Sequence, residues 1–553
     1  MKYIYISYLL IGIILFASCN QPNKPIEETD FIYLEGNVFK HKGNDFFPKM
    51  INYSTNIFME DSSFIIAPFR DYEIPKIHEK HSISEIQNQI LGHFKLIKEM
   101  GFNTIRLCTD SNFGIDIENN SIIFKSYIDD NKTKWFDAIE YSEKYFEALQ
   151  LIFDISEELN IRIMLLIKAP MVPKAEVFTK LLLQKFKDSP VVFAYDFMNE
   201  PLYFDNSHLK NRSRDKKDAF KIVSRWKIMM DKYAPNQLFT IGFSEPIEVF
   251  EWDPSILPVD FVQFHTYHPL RIPSEMYWYA NYVGKPWMIG ETSLPADNDS
   301  VFYEEQRQFL VESYKKVIDL GGCGYGWWGF QEVRWGGFEH DYTSMLNLDG
   351  KTITKDSLHT IIGTIKPAGK VLQKLNYVKS KTNNEKPINY YNMLGYDNIK
   401  LCGKIINKKT GEPIEGAVIR GWTKWFKIGL NTFTDENGNF SLYSNDKLIY
   451  FCYSAPGMSC EKMELDTTYQ QINGYKYSMD SLKNEKLEYH DISFVPFLME
   501  RIDKKTDKIE SDNYIFNFKL NKFDNAKFEG TLGTLELEPL RLRKPGFIKR
   551  ARI

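Results

Sequence analysis

The chain reads as an α/β protein, a (β/α)8 barrel followed by a small all-β sandwich, and three observations predict this. Short apolar runs alternate with amphipathic stretches from Phe31 onward, as strand-helix repeats with a parallel sheet require. Those runs end repeatedly on polar or Trp side chains. Past a polar, charged stretch at 379–397 the pattern changes to short strands separated by turn signals. At 553 residues the chain exceeds what one core supports, so a large domain over 31–378 and a smaller one over 398–520 are expected.

The elements follow in order. Phe31 to Lys40, with Asn44-Asp45-Phe46 after it, predicts a hairpin that caps the closed bottom of the barrel. The eight candidate strands are Phe47 to Tyr53, Thr104 to Cys108, Arg162 to Ile167, Phe193 to Met198, Leu238 to Phe243, Asp260 to His265, Trp287 to Gly290 and Gly324 to Trp328. Between them lie helical patterns. Ile83, Ile86, Ile90, Phe94 and Ile97 recur at spacings of three and four, and Tyr141 to Leu159 is a second such stretch. Ile57 to His81 reads as an extended loop before the first helix. In the second domain, strand-like runs from Leu401 to Tyr453 are separated by Thr410-Gly411-Glu412-Pro413 and Asp435-Glu436-Asn437-Gly438. Asp435, Asn437 and Asn439 alternate like calcium ligands, but Phe440 stands where such a loop needs Gly, so a hairpin turn explains them better. The segment 521–553 ends in a run of Arg and Lys and is expected to be a solvated tail.

Charge is nearly balanced, 69 basic against 73 acidic side chains, which leaves no cationic face for nucleic acid. Aromatic residues are 15% of the chain and offer flat amphipathic faces suited to sugar rings, though most must be core. Lys2, the apolar stretch Tyr3 to Ala17 and Phe16-Ala17-Ser18-Cys19 are too short for a membrane span and point to cleavage. This segment resembles a bacterial lipoprotein signal. The resemblance implies a signal peptide over 1–18, lipid attachment at Cys19, a polar tether over 19–30, and a place in the cell envelope; Asn20 favours the outer membrane. The other five cysteines are scattered without CxxC spacing, and neither a zinc site nor a disulfide framework is indicated. Cys108 and Cys323 read as buried small hydrophobes; Cys452 and Cys460 are close enough in sequence to pair.

In a barrel of this kind function gathers where the strands end, at the C-terminal face. Arg106 closes the second strand, Asn199 and Glu200 the fourth, His265 and Tyr267 the sixth, Glu291 the seventh, and Trp327-Trp328 the eighth. Packing does not readily explain so many polar and Trp groups at five strand ends. The roughly ninety residues between Glu200 and Glu291 fit three further strand-helix units. Glu245, in Ser244-Glu245-Pro246 after the fifth strand, is a competing carboxylate whose setting reads as a helix start. Trp252 and Trp335 are isolated and read as packing.

The segments Asn103-Thr104-Ile105-Arg106, Asn199-Glu200-Pro201, His265-Thr266-Tyr267, Gly290-Glu291-Thr292 and Trp327-Trp328 together resemble the clan A glycoside hydrolases, closest to family five, the cellulase and mannanase group. The resemblance implies that Glu200 is the acid/base and Glu291 the nucleophile, with Arg106, Asn199, His265 and Tyr267 holding and tuning them and Trp328 as sugar platform. It implies a polysaccharide or oligosaccharide substrate, no cofactor and no metal. Ile167-Lys168-Ala169 departs from the family, many of whose members place a histidine there. Gly403, Gly411-Glu412-Pro413-Ile414, Gly416-Ala417-Val418, Thr434-Asp435, Gly438 and Phe440 resemble a carboxypeptidase regulatory-like domain, which implies a structural or spacing role.

The chemistry of the residues agrees. Retaining hydrolysis needs two carboxyls about 5–5.5 Å apart, one attacking the anomeric carbon while the other protonates the departing oxygen. Arg106 and Tyr267 would favour the anion at Glu291, leaving the proton on Glu200. A non-catalytic surface glycan-binding lipoprotein, and a transglycosylase using the same two glutamates, are the competing readings.

Overall fold

The computed structural model describes residues 29–60, 63–68, 83–109, 113–116, 121–129, 132–167, 169–171, 173–204, 215–267, 269, 271–332, 342–355, 360–378, 386–387, 399–424, 428–444, 446–464, 475–476 and 528–542. Cys19 with the signal and most of the tether, Lys168, Trp335 and most of the 379–397 linker lie outside the described residues. Among the described residues no helix is long and apolar enough to cross a membrane.

Eight parallel strands close on themselves: Lys49–Glu60, Thr104–Cys108, Arg162–Leu166, Val192–Asn199, Leu238–Phe243, Val262–His265, Trp287–Glu291 and Tyr325–Trp327. The eighth pairs with the first through Tyr325↔Lys49, Gly326↔Met50 and Trp327↔Ile51, which makes the sheet a barrel. All eight predicted runs are strands of this barrel. They were legible because parallel strands are buried on both faces and read as continuous apolar runs.

Alternate residues serve two cores. Outward-facing Ile51, Ile105, Leu107, Ile163, Tyr195, Phe197, Phe239, Ile241, Phe264, Ile289 and Trp327 belong to the large cluster shared with the helices. That cluster takes Ile90, Phe94 and Ile97 from the helix Ile83–Glu99, and Phe146, Leu149 and Phe153 from Ser142–Glu158. Inward at the N-terminal end, Met50, Met164 and Met288 form a separate apolar plug with Phe193, Phe39 and Ile32. Phe39 comes from the three-stranded cap Tyr33–Glu35, Val38–His41 and Asn44–Phe46, as expected of a hairpin that closes the bottom. Above the methionines the barrel interior turns polar, and there the strands present Arg106, Asp196, Gln263 and His265.

Three features depart from the expectation. The first strand runs on to Glu60 and folds back on Ser63–Pro68, so the segment expected as a loop from Ile57 begins as an antiparallel hairpin. A three-stranded antiparallel sheet, Phe113–Asp116, Ser121–Asp129 and Lys132–Asp137, follows the second strand. Residues Phe528–Leu537, counted in the sequence with the C-terminal tail, form a strand parallel to Ile399–Asn407.

The C-terminal region holds two sheets. Asn439–Ser444, Ile399–Asn407 and Phe528–Leu537 form one; Gly429–Phe433, Val418–Thr423, Leu448–Ser454, Cys460–Glu464 and Tyr475–Lys476 form the other. They share a core of Leu401, Ile405, Ile419, Leu430, Leu442, Phe451 and Leu535. Asp435 accepts from the backbone N–H groups of Asn437 (2.9 Å) and Asn439 (2.8 Å), so these residues make a tight turn, but one that carries the chain from Gly429–Phe433 in one sheet to Asn439–Ser444 in the other, where a hairpin was expected. Cys108 and Cys323 are buried in the barrel, whereas the Sγ atoms of Cys452 and Cys460 stand 3.3 Å apart as free thiols.

This β-module is docked on the barrel by buried contacts. Lys216 Nζ, almost fully buried, donates to Asp253 Oδ2 (2.8 Å) and to the carbonyl of Ala455 (2.9 Å), and Gly457 N donates to the same Asp253 oxygen (2.8 Å). Trp278 Nε1 donates to the carbonyl of Gly416 (2.8 Å). Gly416 has φ +73°, and a Cβ there would come within 2.6 Å of the Tyr282 ring, so only glycine permits this approach. Breaking a buried ion pair by removing one partner leaves an uncompensated charge, which costs about 3–5 kcal/mol. Lys216→Met is therefore expected to lower the stability of the whole chain by about 3 kcal/mol in a chemical denaturation series.

Candidate active site

Arg106 is the hub. Its side chain is wholly buried in the middle of the second strand, and its donors reach three other strands. Nε donates to Asp196 Oδ2 (2.9 Å), Nη1 to Asn52 Oδ1 (2.9 Å) and Glu291 Oε1 (2.5 Å), and Nη2 to Asn199 Oδ1 (2.8 Å). Burial opposes the guanidinium charge, but Asp196 and then Glu291 more than offset it, and the group stays cationic.

Asp196 and Glu291 flank this cation and are both buried. Asp196 also accepts from Gln263 Nε2 (2.6 Å) and from Gly242 N (3.0 Å), so it is fully engaged in holding strands. Glu291 accepts from Arg106 on one oxygen and from the Tyr267 hydroxyl on the other. The Tyr267 phenol is held well above its usual value by burial and by Glu291, so it remains a donor.

Glu200 ends the fourth strand with φ +39°, a left-handed conformation that non-glycine residues rarely adopt. Its N–H donates to the carbonyl of Gly242 (2.6 Å). Its carboxyl lies 2.8 Å from Nδ1 of His265, which is itself 3.5 Å from Glu291 Oε1. An oxygen of Glu200, a ring nitrogen of His265 and an oxygen of Glu291 all lie within 4.8 Å of one another. Burial, with a further push from Glu245 and against the pull of Arg106, raises the Glu200 carboxyl to about 7. Burial lowers His265 to about 4, so near neutral pH it is an uncharged imidazole. Gly242 and Gly290 make room for it: a Cβ on either would press on the ring at 3.0–3.1 Å.

The two glutamates are thus close together and unlike in environment. Glu291 touches a guanidinium and a phenol; Glu200 touches a neutral histidine and keeps 18% of its side chain exposed. The same three donors have a spacing that suits a metal ion, but Glu291 is already engaged on both oxygens and Arg106 repels a cation there.

The polar site residues expected from the sequence, Arg106, Asn199, Glu200, His265, Tyr267 and Glu291, converge here. Asn199 is tied to Arg106, and Tyr267 to Glu291. Of the Trp pair, Trp327 is buried and packs on Phe309 of the helix Tyr303–Asp319, while Trp328 is half-buried, with its backbone N–H donating to the carbonyl of Thr292 next to Glu291 (3.0 Å). The Trp328-Gly329 peptide is cis. Trp252 is fully buried and stacks on Trp226, as packing requires. Glu245 binds Arg271, with contacts of 3.0 and 3.1 Å.

Sequence reasoning missed Asn52, Asp196 and Gln263. Asn52 donates to the carbonyls of Gly290 and Trp327, both at 3.0 Å, and fixes the first strand to the seventh and eighth. A signal for two of them was present. Asp196 is the lone charge inside Phe193 to Met198, and Gln263 lies two residues before His265 and so faces the same way.

No family model matches the chain, and no curated protein matches it. Among solved structures it is similar to an endo-1,4-beta-mannanase from Rhizomucor miehei, at 14% identity over 54% of this chain and 90% of that one, with a TM-score of 0.39. It is similar to a beta-glucosidase from Thermotoga maritima at 12% identity over 59% and 97% of the two chains, TM-score 0.39. A Bacteroides uniformis beta-glucuronidase 2 aligns at 12% identity over 78% of this chain and 46% of its own, TM-score 0.37. Scores and identities this low assign no activity, and what the site can do follows from its own atoms.

Glu200 also makes a stability statement. A carboxyl raised from 4.5 to about 7 on folding carries no penalty below 4.5, and its ionisation costs the native state progressively as pH rises from 4.5 through 7. The melting temperature of Glu200→Gln minus that of the wild type is therefore expected to grow between pH 4.5 and 7 and to level off above. Melts across this range check it, and a flat difference would contradict the raised value.

Proposed function

We propose that this protein is a retaining β-glycosidase acting on a polysaccharide or oligosaccharide, with Glu291 as nucleophile and Glu200 as acid/base. The observation that carries the reading is that an oxygen of Glu200 and an oxygen of Glu291 lie within 4.8 Å of each other around His265. So close an approach favours the retaining arrangement, with carboxyls about 5–5.5 Å apart, over the inverting one, about 6.5–9.5 Å apart to admit a water.

Each step has a residue suited to it. Glu291, held as an anion on Arg106, attacks the anomeric carbon as the glycosidic bond breaks, and the proton of Glu200 goes to the leaving oxygen. Forming the glycosyl ester removes the negative charge of Glu291. Glu200, having given up its proton, then takes one from water as that water displaces the ester and regenerates Glu291. His265 is neutral and hydrogen-bonded to Glu200, so it orients the acid without competing for its proton at neutral pH. Asn199, fixed by Arg106, is suited to hold the sugar's 2-hydroxyl, and half-buried Trp328 to stack against the ring.

The chemistry alone leaves the sugar open, so β-mannan, β-glucans, xylan and xyloglucan are the substrates to screen, with the anomer of the first product followed by NMR. Retention of the β configuration is expected; inversion, or binding without turnover at any pH, refutes the reading. The lipid anchor at Cys19 is a separate proposal, and loss of fatty-acid labelling and of membrane association in Cys19→Ser tests it.

Two outcomes belong to Glu200. Activity should fall as pH rises through about 7, where the acid loses its proton. In Glu200→Ala, hydrolysis of an aryl glycoside whose leaving group needs no proton should survive at least a hundredfold better than hydrolysis of the polysaccharide, a gap within the range of general acid catalysis, about 10²–10⁴-fold.

A further inference from the structure

We infer that the C-terminal β-module supplies a positioning residue to the acid half of the site: Asn431 holds Glu245, and through it the turn that carries Glu200. The inference rests on the reading of Glu200 as the acid.

Glu245 follows the fifth barrel strand and is bound on every side. Its Oε2 accepts from Arg271 Nη1 and from Asn431 Nδ2, both at 3.0 Å. Its Oε1 accepts from Arg271 Nη2 (3.1 Å) and from the Tyr203 hydroxyl (3.3 Å). Asn431 lies on Gly429–Phe433 of the module and is only 3% exposed, so its amide is committed to this contact rather than to water. The barrel and the module therefore share one carboxylate.

Tyr203 links that carboxylate to Glu200. It belongs to the single helical turn Pro201–Phe204, and its N–H donates to the carbonyl of Glu200 (2.9 Å). The left-handed backbone of Glu200 costs about 1–3 kcal/mol and persists only where its surroundings over-determine it. Tyr203, pinned by Glu245, is one such restraint. Leu202 N, on Glu248 Oε1 (3.3 Å), is another, so loosening the first lets the turn shift without unfolding it. A proton donor displaced by about 1 Å loses on the order of 10²-fold in rate. An Asn beyond the barrel can thus govern proton delivery while touching neither substrate nor Glu200.

The test compares phenyl and 2,4-dinitrophenyl glycosides of the sugar identified in the polysaccharide screen, since only the phenyl leaving group needs the proton. Asn431→Ala is expected to lower kcat/KM for the phenyl glycoside at least tenfold and for the dinitrophenyl glycoside less than twofold. A role in packing alone would lower both alike. Asn431→Ser, read by the same ratio, decides if the alanine variant does not fold. Equal loss on the two glycosides, or no loss, in the Asn431 variants while Glu200→Ala still discriminates between them overturns this inference alone. If Glu200→Ala does not discriminate, the acid assignment has failed and takes the inference with it.

Discussion

A guanidinium without water must be surrounded by acceptors, and the interior of this barrel is arranged to meet that demand. Arg106 cannot shed its charge, so burying it costs several kcal/mol unless anions and dipoles replace its hydration. Asn52, Asp196, Asn199 and Glu291 do so, and they come from the first, fourth and seventh strands. The interaction that makes the interior electrostatically tolerable is the one that aims Glu291 and Asn199 at the barrel mouth. Stability and site geometry here are a single network. That is why the polar layer sits directly above a plug of methionines, with apolar packing excluding water from below.

The same cation separates the roles of the two glutamates. Glu291 is in contact with Arg106, whereas Glu200 feels it only at a distance and is dominated by burial. Two identical side chains only a few ångströms apart thus sit in unlike surroundings, because one takes the cation and the other takes a neutral imidazole. Burial of His265 is integral to this. A protonated imidazole beside Glu200 would pull its proton affinity down, and burial keeps the ring neutral.

What was legible in the sequence, and what was not, follows from these physics. The eight strands showed because parallel strands covered on both faces are apolar throughout, and the strand-end residues showed because polar groups there interrupt the pattern. Asp196 and Gln263 did not stand out, since each is one polar residue inside an apolar run and its partners lie on other strands. The strand Phe528–Leu537 was hidden by two glycines and by distance, because its partner Ile399–Asn407 lies more than a hundred residues earlier in the chain. The hairpin continuing from Ile57 was read as a loop because the first strand passes out of the barrel while keeping its backbone pairing, and strand-end rules assume that it stops.

The docking of the β-module was the least legible feature and changes how that module must be viewed. A domain hung on a linker as a spacer would present a polar surface to the barrel and leave the barrel's own groups satisfied. Instead Trp278, Lys216 and Asp253 of the barrel region each take a partner across the junction, at Gly416, Ala455 and Gly457, and all three side chains are buried. Removing the module would strip Lys216 and Asp253 of one partner each and take from the Trp278 indole N–H its acceptor at Gly416, and a buried group left unsatisfied costs about 1–3 kcal/mol. The junction also falls beside the loop after the fifth strand, on the face where the barrel strands end, rather than at the closed bottom where a passive spacer would disturb nothing. The module is therefore packed onto the barrel through buried polar contacts rather than hung from it as a spacer.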